Sequence, residues 1–262
     1  MLTHDMGRED KMAENMILSV RNITMKFDSF MALNDISFDL EKGSILGIIG
    51  PNGAGKTTLF NTITGYYQTY SGKILFNGTS VRGMRPDKRC CMGIARTFQI
   101  TKPFENISIL GNVMVGAYYG KSLKKKSSIK DCEKEAYDLI EKVGLSDKIN
   151  DPAGSLNVSQ RKKLELARAL STEPELLLLD EVVGGLNPTE VVDMMEIIKS
   201  INQSGVSILM IEHVMKAVMG VSHRILVLNH GEKLAEGEPA EIIKNPDVIS
   251  AYLGNKREVK HA

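Results

Sequence analysis

The chain has 262 residues and only three cysteines, and their placement excludes several kinds of site. Cys90 and Cys91 are adjacent and Cys132 is distant, so there is no CxxC pair, no zinc spacing and no disulfide framework. Surplus charge is also missing. With 33 Lys and Arg against 32 Asp and Glu the formal net charge is +1, which gives no global field to draw in nucleic acid or an acidic substrate. No apolar run approaches the ~18 residues of a transmembrane helix, and the polar stretch 1–15 lacks a signal-peptide core. Internal repeats and low-complexity tracts are absent. The expectation is a soluble protein of a reducing compartment whose membrane role, if any, runs through other subunits. The one dense run of like charge is 121–130, where Lys124, Lys125 and Lys126 are consecutive. It reads as a solvated loop, with anionic lipid headgroups as a weaker alternative.

What the chain does contain is concentrated at 50–58, GPNGAGKTT. Gly50, Pro51, Asn52, Gly53, Ala54, Gly55, Lys56, Thr57 and Thr58 match GxxxxGK[ST], the P-loop pattern. Its glycines let backbone N–H groups converge on phosphate oxygens, Lys56 reaches the terminal phosphates, and the Thr57 hydroxyl suits Mg2+. The apolar run 44–49 before it reads as a buried strand, and 57–64, ended by Gly65, reads as a helix. The stretch is built to hold a nucleoside triphosphate.

The rest of the pattern suggests one α/β domain over 16–254, with polar tails at 1–15 and 255–262. Apolar and polar residues alternate through 16–49, as in Ile17, Leu18, Val20, Ile23, Ile36, Phe38 and Leu40, which points to antiparallel strands. Asn77-Gly78 between 73–76 and 79–81 signals a hairpin. From about 106 to 172 the strand pattern gives way to helical stretches at 107–118, 129–143 and 160–170, an inserted helical lobe. Strands return at 176–180, 206–211 and 224–228. Asn187-Pro188-Thr189-Glu190 opens a helix expected to run to Asn202, with a polar cap, a first-turn proline and a glutamate three residues after the cap.

The run LLLLDE places Asp180 and Glu181 at the carboxyl end of a strand, the edge where ligands bind in open α/β sheets. Asp180 fits a Mg2+ ligand and Glu181 a general base that polarises water. His213 follows another strand end and suits a hydrogen bond to a γ-phosphate, a structural histidine being the alternative. Gln99 can meet Mg2+ or water, or cap a turn.

The order GPNGAGKT, Gln99, a helical lobe containing 156–160, LLLLDE, Gly185-Leu186-Asn187-Pro188 and His213 resembles the ATPase subunit of an ABC transporter over about 16–254. The resemblance implies the P-loop NTPase fold of that family: a mixed sheet core, an antiparallel β subdomain and an inserted helical subdomain. It implies ATP and Mg2+, with Phe27 stacking on adenine, Gln99 as the Q-loop glutamine, Glu181 as the catalytic glutamate, 185–188 as the D-loop and His213 as the switch histidine. Thr57, Gln99 and Asp180 would then hold the Mg2+. The runs 93–100, 112–116, 185–188 and 237–254 look like the subunit that serves branched-chain amino acid uptake, whose relatives also move urea, short amides or other amino acids. That implies membrane-spanning permeases, a second ATPase subunit, an extracytoplasmic solute-binding protein acting indirectly, no nucleic acid, and a place on the cytoplasmic face of the plasma membrane.

The chain departs from the family in two places. The signature, usually LSGGQ, reads Leu156-Asn157-Val158-Ser159-Gln160, and Val182 follows Glu181 where proline is common. Asn157 can still donate a side-chain hydrogen bond, but Val158 adds β-branched bulk where glycine lets backbone approach closely. A P-loop, Asp180, Glu181 and His213 that match the family beside a weakened signature lead to the expectation of an asymmetric heterodimer, a homodimer being the alternative. Runner-up functions are a regulatory nucleotide-binding subunit and a non-transport ABC ATPase.

Overall fold

A computed structural model describes residues 15–120 and 128–253. They form two compact units, one made of the residues up to Gly83 together with those from Ser222 onward, the other of Met84–Val221.

The first unit begins with two long antiparallel strands, β1 (Met16–Phe27) and β2 (Phe30–Glu41). The alternation read from the sequence becomes their buried face: Val20 lies opposite Phe38 and Ile23 opposite Ile36, all four buried. Next come β3 (Ile45–Ile49), buried at every position, and α1 (Lys56–Ile63). Then follow β4 (Ser71–Phe76) and β5 (Thr79–Ser80), which complete an antiparallel sheet of order β2-β1-β4-β5. The turn at Asn77 and Gly78 has φ of 46° and 73°, the doubly positive pair that a type I′ hairpin requires.

The second unit runs through α2 (Pro86–Met92), β6 (Ile94–Arg96), α3 (Ile109–Tyr119), α4 (Ile129–Lys142), α5 (Val158–Leu170), β7 (Leu176–Asp180), α6 (Pro188–Gln203), β8 (Ser207–Ile211) and α7 (Met215–Val221). Strands β6, β7 and β8 are parallel neighbours in that order. Every residue of β7 and β8 is buried, as expected of strands covered on both faces. Helices α3, α4 and α5 pack on one another, and Ile109, Val113, Ala136, Ile140 and Leu164 are among the residues they bury. Of the lysine-rich stretch, 121–127 lies outside the described residues, as do 1–14 and 254–262. Lys130 is already inside α4, which Ser128 and Asp131 open with a reciprocal cap.

The chain returns to the first unit with β9 (Arg224–Asn229), β10 (Glu232–Gly237), α8 (Pro239–Ile242) and α9 (Pro246–Leu253). Strand β9 runs parallel to β3, and β10 antiparallel to β9.

Helix α1 begins and ends one residue earlier than the sequence expectation, at Lys56 and Ile63, and two further helix starts differ from it because of a side-chain cap. Helix α3 begins at Ile109 because the Ser108 hydroxyl accepts the Gly111 N–H at 3.0 Å. Helix α5 begins at Val158 rather than at 160, because Asn157 Oδ1 accepts the Gln160 N–H at 2.9 Å while Gln160 Oε1 accepts the Asn157 N–H at 3.1 Å. Helix α6 starts where expected, with Asn187 and Glu190 in the same reciprocal arrangement, and ends one residue later at Gln203.

Candidate functional site

In the first unit the P-loop joins β3 to α1. The turn is possible only because of its glycines. A β-carbon on Gly50 would stand 2.1 Å from the Leu228 carbonyl oxygen, and Gly55, at φ 101°, backs onto the Ala32 carbonyl, which a β-carbon would meet at 2.7 Å. Strands β9 and β2 therefore press on one side of the loop. The other side is open: Asn52, Gly53 and Thr57 are exposed, and nothing lies within 4 Å of a β-carbon built on Gly53.

Helix α1 starts without a side-chain cap and without an acidic residue in its first turn. The first N–H groups of a helix lack intrahelical acceptors and lie at the positive end of its dipole. That donor set, with the Thr57 hydroxyl on the exposed rim, fits a polyphosphate and its magnesium ion. The Lys56 ammonium is folded onto the loop, donating to the carbonyls of Gly50 at 2.6 Å and Pro51 at 3.0 Å. In the same unit Phe27, at the end of β1, is 37% exposed and meets Tyr67 edge-on, with ring centroids 5.0 Å apart.

In the second unit the carboxyl ends of the three parallel strands bring Gln99, Asp180, Glu181 and His213 together. Gln99 Nε2 donates to Glu181 Oε2 at 2.8 Å, and His213 Nε2 lies 2.9 Å from Glu181 Oε1. One carboxylate thus engages both polar side chains, one on each oxygen. The backbone of Glu181 is unusual: its φ is 51°, its N–H donates to the Ile211 carbonyl at 2.9 Å, and its own carbonyl accepts from Lys162 Nζ at 2.7 Å. A non-glycine residue in the left-handed region is strained by ~1–3 kcal/mol and persists only where its surroundings over-determine it.

Asp180 is buried and paired with Arg96, Nη2 to Oδ2 at 3.1 Å, and its backbone N–H donates to the Thr97 hydroxyl at 3.0 Å. Burial raises the Asp180 carboxyl above its ordinary range, and Arg96 offsets part of that rise. The oxygens of Asp180 and Gln99 are hard ligands of the kind Mg2+ takes.

Sequence reasoning missed the support around these residues. Arg96 also stacks its guanidinium over Phe98, 4.5 Å from the ring centroid. Glu165 accepts the Phe98 N–H, and Glu212 accepts the Val183 N–H at 2.8 Å. Burial pushes both glutamates up to about 7. No motif marks them. The only signal was charge at positions that fall on the buried face of α5 or next to an all-apolar strand.

The stretch 156–160 leads into α5, which starts at Val158. Leu156 and Ser159 are buried, Asn157 is exposed, and Val158, in the first turn, is 58% exposed. The Asn157 oxygen is committed to the cap, which leaves its amide N–H groups as the donors the side chain can offer. Gly185, at φ 78°, lies near Val158, and Val182 is buried.

The chain resembles known proteins along most of its length. The family model for ABC transporters matches residues 33–184, and the model for the branched-chain amino acid ATP-binding cassette transporter matches 232–257. The high-affinity branched-chain amino acid transport ATP-binding protein LivG of Escherichia coli K12 is 39% identical over 249 residues, covering 91% of this chain and 98% of that protein. The corresponding protein BraF of Pseudomonas aeruginosa gives the same identity and coverage. A probable LivG of Archaeoglobus fulgidus is 35% identical, with 91% and 95% covered. Among solved structures, a nucleotide-free ATP-binding cassette from an ABC transporter superimposes with a TM-score of 0.83 at 31% identity, covering 91% of this chain and 99% of its own. The ADP conformation of such a cassette gives the same values.

Proposed function

Because this chain belongs to the ATP-binding subunits of ABC transporters, an ATPase family, we propose that it powers uptake of branched-chain amino acids or related small solutes. The solute class is supported by the names of its relatives and by the match at 232–257.

In this reading the N–H groups of 52–57 and the Lys56 ammonium hold the triphosphate, and Phe27, braced by Tyr67, stacks on the adenine. Thr57, Gln99 and Asp180 hold Mg2+, which when bound neutralises charge on the phosphates. Glu181 takes the proton of the attacking water, and Gln99 and His213 position the carboxylate until nucleotide draws them away. Much of the rate comes from positioning and electrostatics. The reading is supported chiefly by the hydrogen-bonded group of Gln99, Glu181 and His213 beside Asp180.

The partners are two membrane-spanning permeases, a second ATPase subunit and, through the permeases, an extracytoplasmic solute-binding protein, with the chain peripheral at the cytoplasmic face. Among the described residues no helix is long and apolar enough to cross a membrane. The second ATPase subunit is a relative rather than a second copy, because Val158 in this chain's signature weakens the site it would complete for its partner.

Affinity purification from the native membrane followed by identification of bound proteins tests the assignment. Permeases and a second ATPase subunit are expected, whereas ribosomes or DNA in their place would overturn it. In the purified protein Lys56→Ala weakens ATP binding, and unchanged affinity would remove the P-loop from its role.

A further inference from the structure

Helix α5 carries two buried charged side chains one turn apart, Lys162 and Glu165, and each engages a backbone group outside the helix. Glu165 Oε1 accepts the N–H of Phe98 at 2.5 Å, the residue immediately before Gln99. Lys162 Nζ donates to the carbonyl of Glu181 at 2.7 Å. Residues three apart share a helix face, so one side of α5 holds both segments. The two residues are only 9% and 8% exposed, and charge buried this far is costly unless it is hydrogen-bonded. What they bond is the backbone of the two segments that carry the candidate chemistry, one of them in the strained conformation of Glu181.

We propose that Lys162 and Glu165 are positioning residues that tie the helix presenting 156–160 to the segments supplying Gln99 and Glu181. A shift of α5 imposed at its capped N-terminus, where a partner's nucleotide is met, then reaches this chain's own Gln99 and Glu181 through two hydrogen bonds. The inference rests on the roles given above to Gln99, Glu181 and the signature.

ATP turnover of the assembled transporter, read as kcat and KM separately, tests it. Glu165→Leu lowers kcat about tenfold while KM for ATP stays within about threefold, the pattern of a misplaced group rather than lost binding. Glu165→Gln keeps an oxygen that accepts the same N–H and returns kcat to within about threefold of wild type. In a Gln99→Ala background, Glu165→Leu costs less than about twofold, because the group it positions is gone. A full tenfold loss in that background, or no rescue by glutamine, marks Glu165 as a packing residue and overturns the proposal. Lys162→Met likewise lowers kcat about tenfold, and wild-type turnover in that variant overturns its half. If Gln99→Ala alone leaves kcat unchanged, the role of Gln99 itself fails, a result distinct from additive losses with Gln99 in place.

Discussion

Arg96 and Asp180 form an ion pair in which both partners are buried, at 9% and 3% side-chain exposure. Arg96 is the last residue of β6 and Asp180 the last of β7, so parallel neighbours deliver the guanidinium and the carboxylate to the same edge. Without Arg96 the Asp180 carboxylate would be a buried charge with its strongest counter-charge removed.

Arg96→Met is therefore expected to destabilise the protein by about 3–5 kcal/mol, the usual cost of breaking a buried pair by removing one partner. Urea unfolding measures it. The loss should be smaller at pH 5 than at pH 8, because the carboxyl already raised by burial takes up a proton more readily at low pH. An unchanged midpoint at both pH values would mean that Arg96 is not what compensates Asp180.

Glu181→Gln should leave ATP binding intact while lowering turnover by ~10² to 10⁴, the range for loss of a general base. Its amide still accepts from Gln99, so the segment stays in place. Retained turnover would take Glu181 out of that role.

Glu212 offers a pH test that does not depend on activity. Burial lifts its carboxyl from an ordinary 4.5 to about 7, so between those values the folded protein holds more protons than the unfolded chain. Stability from this group is present below about pH 4.5 and is lost as pH rises through about 7, to a total on the order of 3 kcal/mol. Glu212→Gln accepts the same Val183 N–H without a charge. Its melting temperature should gain on the wild type between pH 5 and 7 and then run parallel. Parallel curves throughout would show that Glu212 titrates as an ordinary carboxyl.

The signature predicts an asymmetry. Single-turnover hydrolysis in the assembled complex should be slower at the site completed by 156–160 of this chain than at the site where its own P-loop and Glu181 act. Val158→Gly should narrow the gap, since it removes an exposed β-branched side chain from the first turn of α5. Equal rates at both sites would count against the asymmetric dimer.

The P-loop was legible because its chemistry is written into consecutive residues. Glycine, lysine and hydroxyl recur at one spacing because backbone N–H groups must approach phosphate, and no distant residue can supply that. The Asn77-Gly78 hairpin and the Asn187 cap were legible for the same local reason. The turn at His230 and Gly231 was not: its φ values of 49° and 80° are those of a type I′ hairpin, but histidine lacks the local signal of asparagine or aspartate there. Helix α5 was placed two residues late because Asn157 and Gln160 cap it by reaching across the stretch that had been read as a motif.

The sequence alone determined the family, the nucleotide loop and the identity of Gln99, Asp180, Glu181 and His213, since order and spacing along a chain carry that much. Only the tertiary structure decided what surrounds them. The hold of Gln99 and His213 on one carboxylate, the Arg96 and Asp180 pair, and the reach of Lys162 and Glu165 join residues up to 84 apart in sequence. Such contacts depend on which strands lie side by side and which helix face turns inward. A buried charge is therefore visible in the sequence only as a residue type, and its partner becomes known when the fold brings it there.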